Sequence, residues 1–391
     1  MRATLVYPAF EDYSELDGTW LPHGVCGIAT EANARGHQVD ILDGRLYPIE
    51  DAKRLMGRSD SQLFGFSCLS ANMGYALELI SFIRENTDAK IVVGGIHPTV
   101  CPEDFPEYDW LVMGEGEITF CDILDGKVEE GVIEGVTPDL AEVLQIDRSL
   151  VAIEEKPMHN MEEPFATVII GRGCPFDCTF CQPAERKLFG RKLRMRPVHS
   201  VVDELESLNV KSFMVHDDCF LSSKKYVREF CAALPGGLTW WCQGRADLVC
   251  DNIDMVSEMR DAGLSGMIIG HESGDQRVLD YLNKGVTVEQ NLESTRILNA
   301  LGVMTWSNIM LGIPNEPPSA AINTIAMIKA MAPQVISTAV FTPHPGSYMY
   351  EECKDIMPEH DWTYFNRGKF EEKLKGVDYN FVAWTAQQLR S

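Results

Sequence analysis

The chain has 391 residues, enough for two or three domains at roughly 150 residues each, and its 45% apolar content lets each bury a core. Its net charge of −24, from 34 basic and 58 acidic residues, disfavours a nucleic-acid partner, which needs a basic footprint. No apolar run approaches the ~20 residues of a membrane span, and the opening MRATLVYPAF has no secretory h-region, so a cytoplasmic protein with no membrane partner is expected. Leu5–Tyr7 reads as a strand followed by Pro8, residues 24–35 as a helix ended by Gly36, and Val39–Leu42 and Phe64–Ser67 as two further strands. Met73, Leu77, Ile80 and Ile83 share one face of a helix over 73–86. Ile91–Val93 and Trp110–Met113 complete the series. Apolar strands between amphipathic helices predict a doubly wound parallel sheet over residues 1–140.

Such sheets bind ligands beyond the carboxyl ends of their strands. Small residues collect there: Ser67–Asn72, Gly94-Gly95-Ile96-His97 and Gly114-Glu115-Gly116-Glu117. Glycine often merely ends a strand, but three such loops on one edge predict a cleft. Residues 141–165, with Pro157 and Pro164, read as a linker with little core.

A second alternating series follows. Strands fit at 166–170, 212–216, 238–242, 266–270, 303–310 and 335–341, with helices between them capped by glycines such as Gly263 and Gly302. Six βα units are too few for the eight-unit barrel and predict an α/β partial (β/α)6 barrel over residues 166–345. The extension 346–391 carries Trp362, Tyr364, Phe365, Phe381 and Trp384, which are expected to pack on the barrel or close its mouth.

Three of the 12 cysteines are tightly grouped, in Gly171-Arg-Gly-Cys-Pro-Phe-Asp-Cys-Thr-Phe-Cys181 directly after the first barrel strand. Cys174, Cys178 and Cys181 in Cys-x3-Cys-x2-Cys spacing suit three corners of a four-iron cluster, which normally takes four thiolates. The fourth iron is then open to a chelating ligand. Structural zinc, with a fourth ligand from Cys219 or His216, is the competing reading. Disulfides are disfavoured in a reducing compartment.

This loop resembles the signature of the radical S-adenosylmethionine superfamily. The resemblance implies a [4Fe-4S] cluster on the three cysteines and S-adenosylmethionine chelating the open iron, to be cleaved by one electron into methionine and a 5′-deoxyadenosyl radical. It places Phe180 beside the adenine and Asp217 and Asp218, in His216-Asp-Asp-Cys-Phe220, at the methionine ammonium. Gln243 and Arg245 end the third barrel strand, and Glu272, in Gly270-His-Glu-Ser-Gly274, accepts from the ribose. Asn308 lies in a fifth-strand motif, and Pro343, in Thr342-Pro-His-Pro-Gly346, lies beside the adenine. Each has a plainer reading: a core aromatic for Phe180, a helix cap for the two aspartates.

Residues 1–140 are similar to the cobalamin-binding domain of class B members of that superfamily. The matching segments are Phe64–Asn72, Val92–Thr99 and Gly114–Glu117, with His23-Gly24 and Gly36-His37 in the same pattern. The resemblance assigns cobalamin contacts to Pro8, Ser67, Leu69, Ser70, Ala71, Asn72, Gly94, Gly95, His97, Gly114, Glu115, Gly116 and Glu117, with residues 69–72 near the lower corrin face. The Asp-x-His-x-x-Gly motif whose histidine ligates cobalt is missing, so His97 is expected to touch the corrin or its tail instead. The implied function is a cobalamin-dependent radical methyltransferase acting on a small-molecule or peptide substrate, with reduced flavodoxin or ferredoxin as electron donor. The alternatives are a radical oxidation, cyclisation or rearrangement and, more remotely, a non-catalytic cobalamin or cluster sensor. The basic run Arg186, Lys187, Arg191, Lys192, Arg194 and Arg196 is a candidate docking site for an acidic donor.

Overall fold

Strands apolar on both faces need helices on both sides, and two separate parallel sheets meet that need. The computed structural model describes residues 1–10, 20–182, 189–359, 361–366 and 372–390. These fall into two compact units, one built on Met1–Glu155 with His360–Phe365, the other on Lys156–Cys181, Arg191–Glu359 and Asn366–Ser391.

The first unit holds β1 (Arg2–Tyr7), β2 (Gln38–Asp43), β3 (Leu63–Ser67), β4 (Lys90–Gly94), β5 (Trp110–Met113) and β6 (Gly131–Glu134) in the order β2-β1-β3-β4-β5-β6. Every pairing is parallel. Alternation along β3 sends Phe64 and Phe66 to one face, with Leu79 and Ile83, and Leu63 to the other, with Leu5, Val92 and Phe120. Gly65 stays small because a Cβ there would meet Leu5 at 2.6 Å. The chain order reverses between β1 and β3, so the loops after β1, β3, β4 and β5 share one carboxyl edge.

One glycine on that edge is fixed by sterics. Gly95 has φ +104°, and a Cβ there would lie 2.8 Å from both the nitrogen and oxygen of Cys68. Gly95→Ala is therefore expected to destabilise the unit by about 2 kcal/mol or more, through strained φ and overpacking. Gly94→Ala meets only ordinary contacts near 3.7 Å and serves as control. A urea midpoint for Gly95→Ala equal to that of Gly94→Ala would contradict this account.

The second unit holds β7 (Phe165–Val168), a small antiparallel hairpin of β8 (Gly171–Arg172) and β9 (Arg194–Met195), then β10 (Ser212–Val215), β11 (Thr239–Gly244), β12 (Leu264–Glu272), β13 (Met304–Leu311) and β14 (Val335–Val340). The main sheet runs β14-β13-β12-β11-β10-β7, parallel throughout, as the alternating pattern predicts. Its helix-facing side is a core of Phe213, Phe230, Trp240, Val256 and Leu298. The helix Tyr379–Arg390 covers the far edge through Val382, Ala386 and Leu389 against Ile309, Leu311 and Ile328.

The segment read as a linker has defined partners. Ile146, Leu150 and Val151 pack on the first unit. In the second unit, His159 stacks on Trp241 at 5.6 Å and stands edge-on to Trp306 at 5.2 Å. Asn160 accepts from Trp241 Nε1 and donates to the carbonyl of Ser265, and the Glu162 amide donates to Ser212 Oγ. Residues 159–162 thus cross the beginnings of β10 to β13. Trp362, Tyr364 and Phe365 lie with the first unit rather than on the barrel, because Trp362 stands edge-on to His97 at 5.3 Å and joins that unit's core.

Candidate functional site

The cysteine loop leaves β7 and β8 at the carboxyl edge of the second sheet, where an open parallel sheet presents its ligand site. It is clamped by the turn after the helix Gln276–Tyr281. The Thr179 amide donates to the carbonyl of Leu282, Thr179 Oγ1 to that of Tyr281, and Asn283 Nδ2 to that of Asp177. Among the described residues the triad sulfurs do not form a set lying within 4.8 Å of one another; the trio that does is His97, Cys101 and Asp104. Three thiolates in this spacing suit three corners of a four-iron cluster.

The electrostatics differ between the cysteines. Cys174 is pulled down to about 6 by a hydrogen bond shared with Cys219, against the effect of burial. Cys178 is 8% exposed, and burial pushes its thiol up, opposed by Lys284 and Arg245. Arg245 Nη1 lies 3.6 Å from Cys178 Sγ, and the guanidinium sits 3.6 Å over the Phe176 ring. Asp247 and the carbonyl of Lys284 hold its other nitrogens. Lys284 is itself 8% exposed, donates to Glu272 Oε1 at 2.9 Å, and stands 5.7 Å from the Phe180 ring. Burial works against its charge, but Glu272 and Cys178 outweigh it and hold its pKa above the ordinary value. Sequence reasoning missed Lys284 and Phe176 in this cage; Asn-Lys-Gly reads as a surface turn.

The residues named for S-adenosylmethionine divide. Asp217 is buried; its Oδ1 accepts from the Ile170 amide at 2.7 Å, and burial raises its carboxyl to about 8 against backbone hydrogen bonds. It fixes the strand exit, while Asp218 beside it is exposed. His216 is kept neutral by burial, at about 4. Gln243 and Asn308 are half-buried and Pro343 is buried. A register shift between Gly270 and Glu272 turns Glu272, at φ +61°, towards Lys284. A side chain on Gly270 would collide with that pair. His271 faces the other way, bonded to Ser307 Oγ at 2.8 Å, and burial holds it near 3.

On the first unit's edge, alternation leaves Ser67, Leu69 and Ala71 half-exposed and buries Ser70 and Asn72. Asn72 is a brace: Oδ1 accepts from the Leu69 amide at 2.7 Å and Nδ2 donates to the carbonyl of Pro8 at 3.2 Å. Thr99 links the next two loops, donating to the carbonyl of Gly95 and accepting from the Gly114 amide. Glu115 and Glu117 are 3% and 5% exposed, so the open positions there are Gly114 and Gly116. Small half-open residues on a braced edge fit a flat macrocycle. His97 is fully buried, with Nδ1 on Ser70 Oγ at 2.9 Å and Nε2 on Asp104 Oδ2 at 2.9 Å. Both ring nitrogens are engaged within the protein.

The basic run is less open than the sequence suggests. Arg196 is held by Glu204 at 2.6 Å with both side chains largely buried, and Arg191 pairs with Asp177 at 2.8 Å on the surface. Arg186 and Lys187 lie outside the described residues.

Residues 168–328 match the Radical SAM superfamily and residues 13–124 the B12 binding domain. An uncharacterized methyltransferase, PH0819, of Pyrococcus horikoshii is 24% identical over 384 residues, covering 90% of this chain and 83% of that protein. The anaerobic magnesium-protoporphyrin IX monomethyl ester cyclase of Rubrivivax gelatinosus is 26% identical over 406 residues, covering 94% and 72%. Among solved structures, the radical S-adenosylmethionine methyltransferase TsrM from Kitasatospora setae, with cobalamin and a [4Fe-4S] cluster bound, shares the fold at a TM-score of 0.67 and 18% identity, covering 90% of this chain and 74% of that one.

Proposed function

Because the chain belongs to the cobalamin-binding class of radical S-adenosylmethionine enzymes, with a B12 binding domain ahead of a radical SAM domain, we propose that it is a methyltransferase acting on a carbon of a small-molecule or peptide substrate. When bound, a [4Fe-4S] cluster with S-adenosylmethionine supplies a carbon-centred radical, and cobalamin carries the methyl group. The observation that carries the reading is the cysteine triad of the signature loop with a cationic cage beside it. Cys174, Cys178 and Cys181 would hold three irons, and Arg245 and Lys284 place positive charge next to the Cys178 thiolate. Hydrogen bonds and charge around the sulfurs are what tune such a cluster.

The remaining contacts follow from position. Phe180, Gln243, Asn308 and Pro343 would line the S-adenosylmethionine site, with Asp218 rather than the buried Asp217 available to its ammonium. Ser67, Leu69, Ala71, Gly94, Gly114 and Gly116 would meet the corrin. A reduced flavodoxin or ferredoxin would deliver the electron, with Arg191 and Lys192 exposed for docking. No helix among the described residues is long and apolar enough to cross a membrane. The cyclase relative supports a second reading, a radical ring closure or oxidation without methyl transfer.

Anaerobic turnover with reductant, cobalamin and S-adenosylmethionine deuterated in its methyl group separates the two. A product carrying the labelled methyl is expected when candidate extracts are screened by mass spectrometry. A substrate altered without label, alongside 5′-deoxyadenosine, would replace methyl transfer with the second reading. The cob(II)alamin spectrum of the bound protein is expected to show no nitrogen splitting from a protein ligand, since both His97 nitrogens are committed.

A further inference from the structure

A compact donor set lies in the first unit. His97, Cys101 and Asp104 offer one nitrogen, one sulfur and one oxygen, all within 4.8 Å of one another. They follow His-x3-Cys-x2-Asp spacing. The Cys101 amide donates to the carbonyl of His97 at 2.9 Å and the Asp104 amide to that of Cys101 at 3.3 Å, so successive turns bring the three to one side.

The histidine is arranged as metal-binding imidazoles usually are. One ring nitrogen is fixed by an outer partner, here Ser70 Oγ on Nδ1 at 2.9 Å, which leaves the other aimed at the ligand position. Nε2 faces Asp104 and Cys101 from a fully buried ring, with Trp362 against its edge. Cys101 is half-buried and the Asp104 side chain is 35% exposed, so an ion can reach the trio from solvent. We propose that His97 Nε2, Cys101 Sγ and Asp104 bind one divalent transition-metal ion of the zinc type, with the fourth position taken by water.

The donor chemistry selects the ion. A mixed nitrogen, sulfur and oxygen set is the kind zinc accepts, and it is too soft for magnesium or calcium. Bonds of ~2.0–2.3 Å require ligand atoms roughly 3.3–3.8 Å apart. The Nε2–Oδ2 separation of 2.9 Å opens to that range by a small rotation of the partly exposed Asp104.

The test uses the full chain, reconstituted anaerobically with iron and sulfide and then dialysed against zinc-free buffer after one addition of Zn2+. Wild type is expected to retain one zinc per chain beside its iron. Cys101→Ser is expected to lose the zinc and keep the iron, and Asp104→Asn to weaken zinc by more than the ~10-fold typical of losing a supporting residue. With Co2+ in place of Zn2+, wild type should show a thiolate-to-cobalt charge-transfer band that Cys101→Ser lacks. Both substitutions are at partly exposed positions, and circular dichroism checks their folding. The triple alanine variant of Cys174, Cys178 and Cys181 should still hold the zinc. Zinc retained undiminished in Cys101→Ser, zinc lost with the triad, or no stoichiometric zinc in wild type each overturns the proposal and leaves His97–Asp104 as a buried hydrogen bond.

Discussion

Replacing Cys174, Cys178 and Cys181 together by alanine is expected to remove all cluster iron and all formation of 5′-deoxyadenosine. The triad provides the three thiolates of the signature loop. Its loop is held from outside by Leu282, Tyr281 and Asn283, so the substitutions should leave the barrel folded. Near-unchanged far-ultraviolet circular dichroism would confirm that. Iron retained at wild-type stoichiometry in the triple variant would end the assignment, as would native protein holding zinc at the triad and no iron.

Lys284→Met is expected to destabilise the second unit by ~3–5 kcal/mol, the usual result of stripping the partner from a buried charge. Lys284 and Glu272 are 8% and 10% exposed in their side chains and lie 2.9 Å apart. Removing the ammonium leaves the Glu272 carboxylate buried beside Cys178. The double variant Lys284→Met/Glu272→Gln should recover most of the loss, since it removes both charges. Denaturant midpoints with cluster absorbance followed in parallel measure this. A single variant as stable as wild type would show that Glu272 finds water or another donor, and that the pair is not the cage described above.

The sheets were legible because continuous apolar runs such as Ile91–Val93 and Phe213–Val215 have few alternatives to a strand covered on both sides. β6 was not legible: Gly131–Glu134 alternates half-buried and exposed residues at a sheet edge, and an edge strand carries little hydrophobic signal. The triad was legible as a candidate metal site from its spacing, which left zinc open; the resemblance supplied the cluster. What surrounds it was not, because Lys284 joins Glu272 only through the register shift in β12, a feature without a local sequence signature. Asp217 and Asp218 look equivalent in the sequence; past the end of β10 one turns inward to accept from a backbone amide and the other is exposed. The hydrogen-bond partners of His97, Ser70 and Asp104, lie 27 residues before and 7 after it, and no local pattern announces them.

The segment 159–162 straps the beginnings of neighbouring strands in the second sheet. With His159 against Trp241 and Trp306, and Asn160 and Glu162 bonded to Trp241, Ser265 and Ser212, the amino side of β10 to β13 is committed to packing. The cysteine loop leaves from the opposite, carboxyl side, so one end of the sheet carries the folding contacts and the other is left for the chemistry.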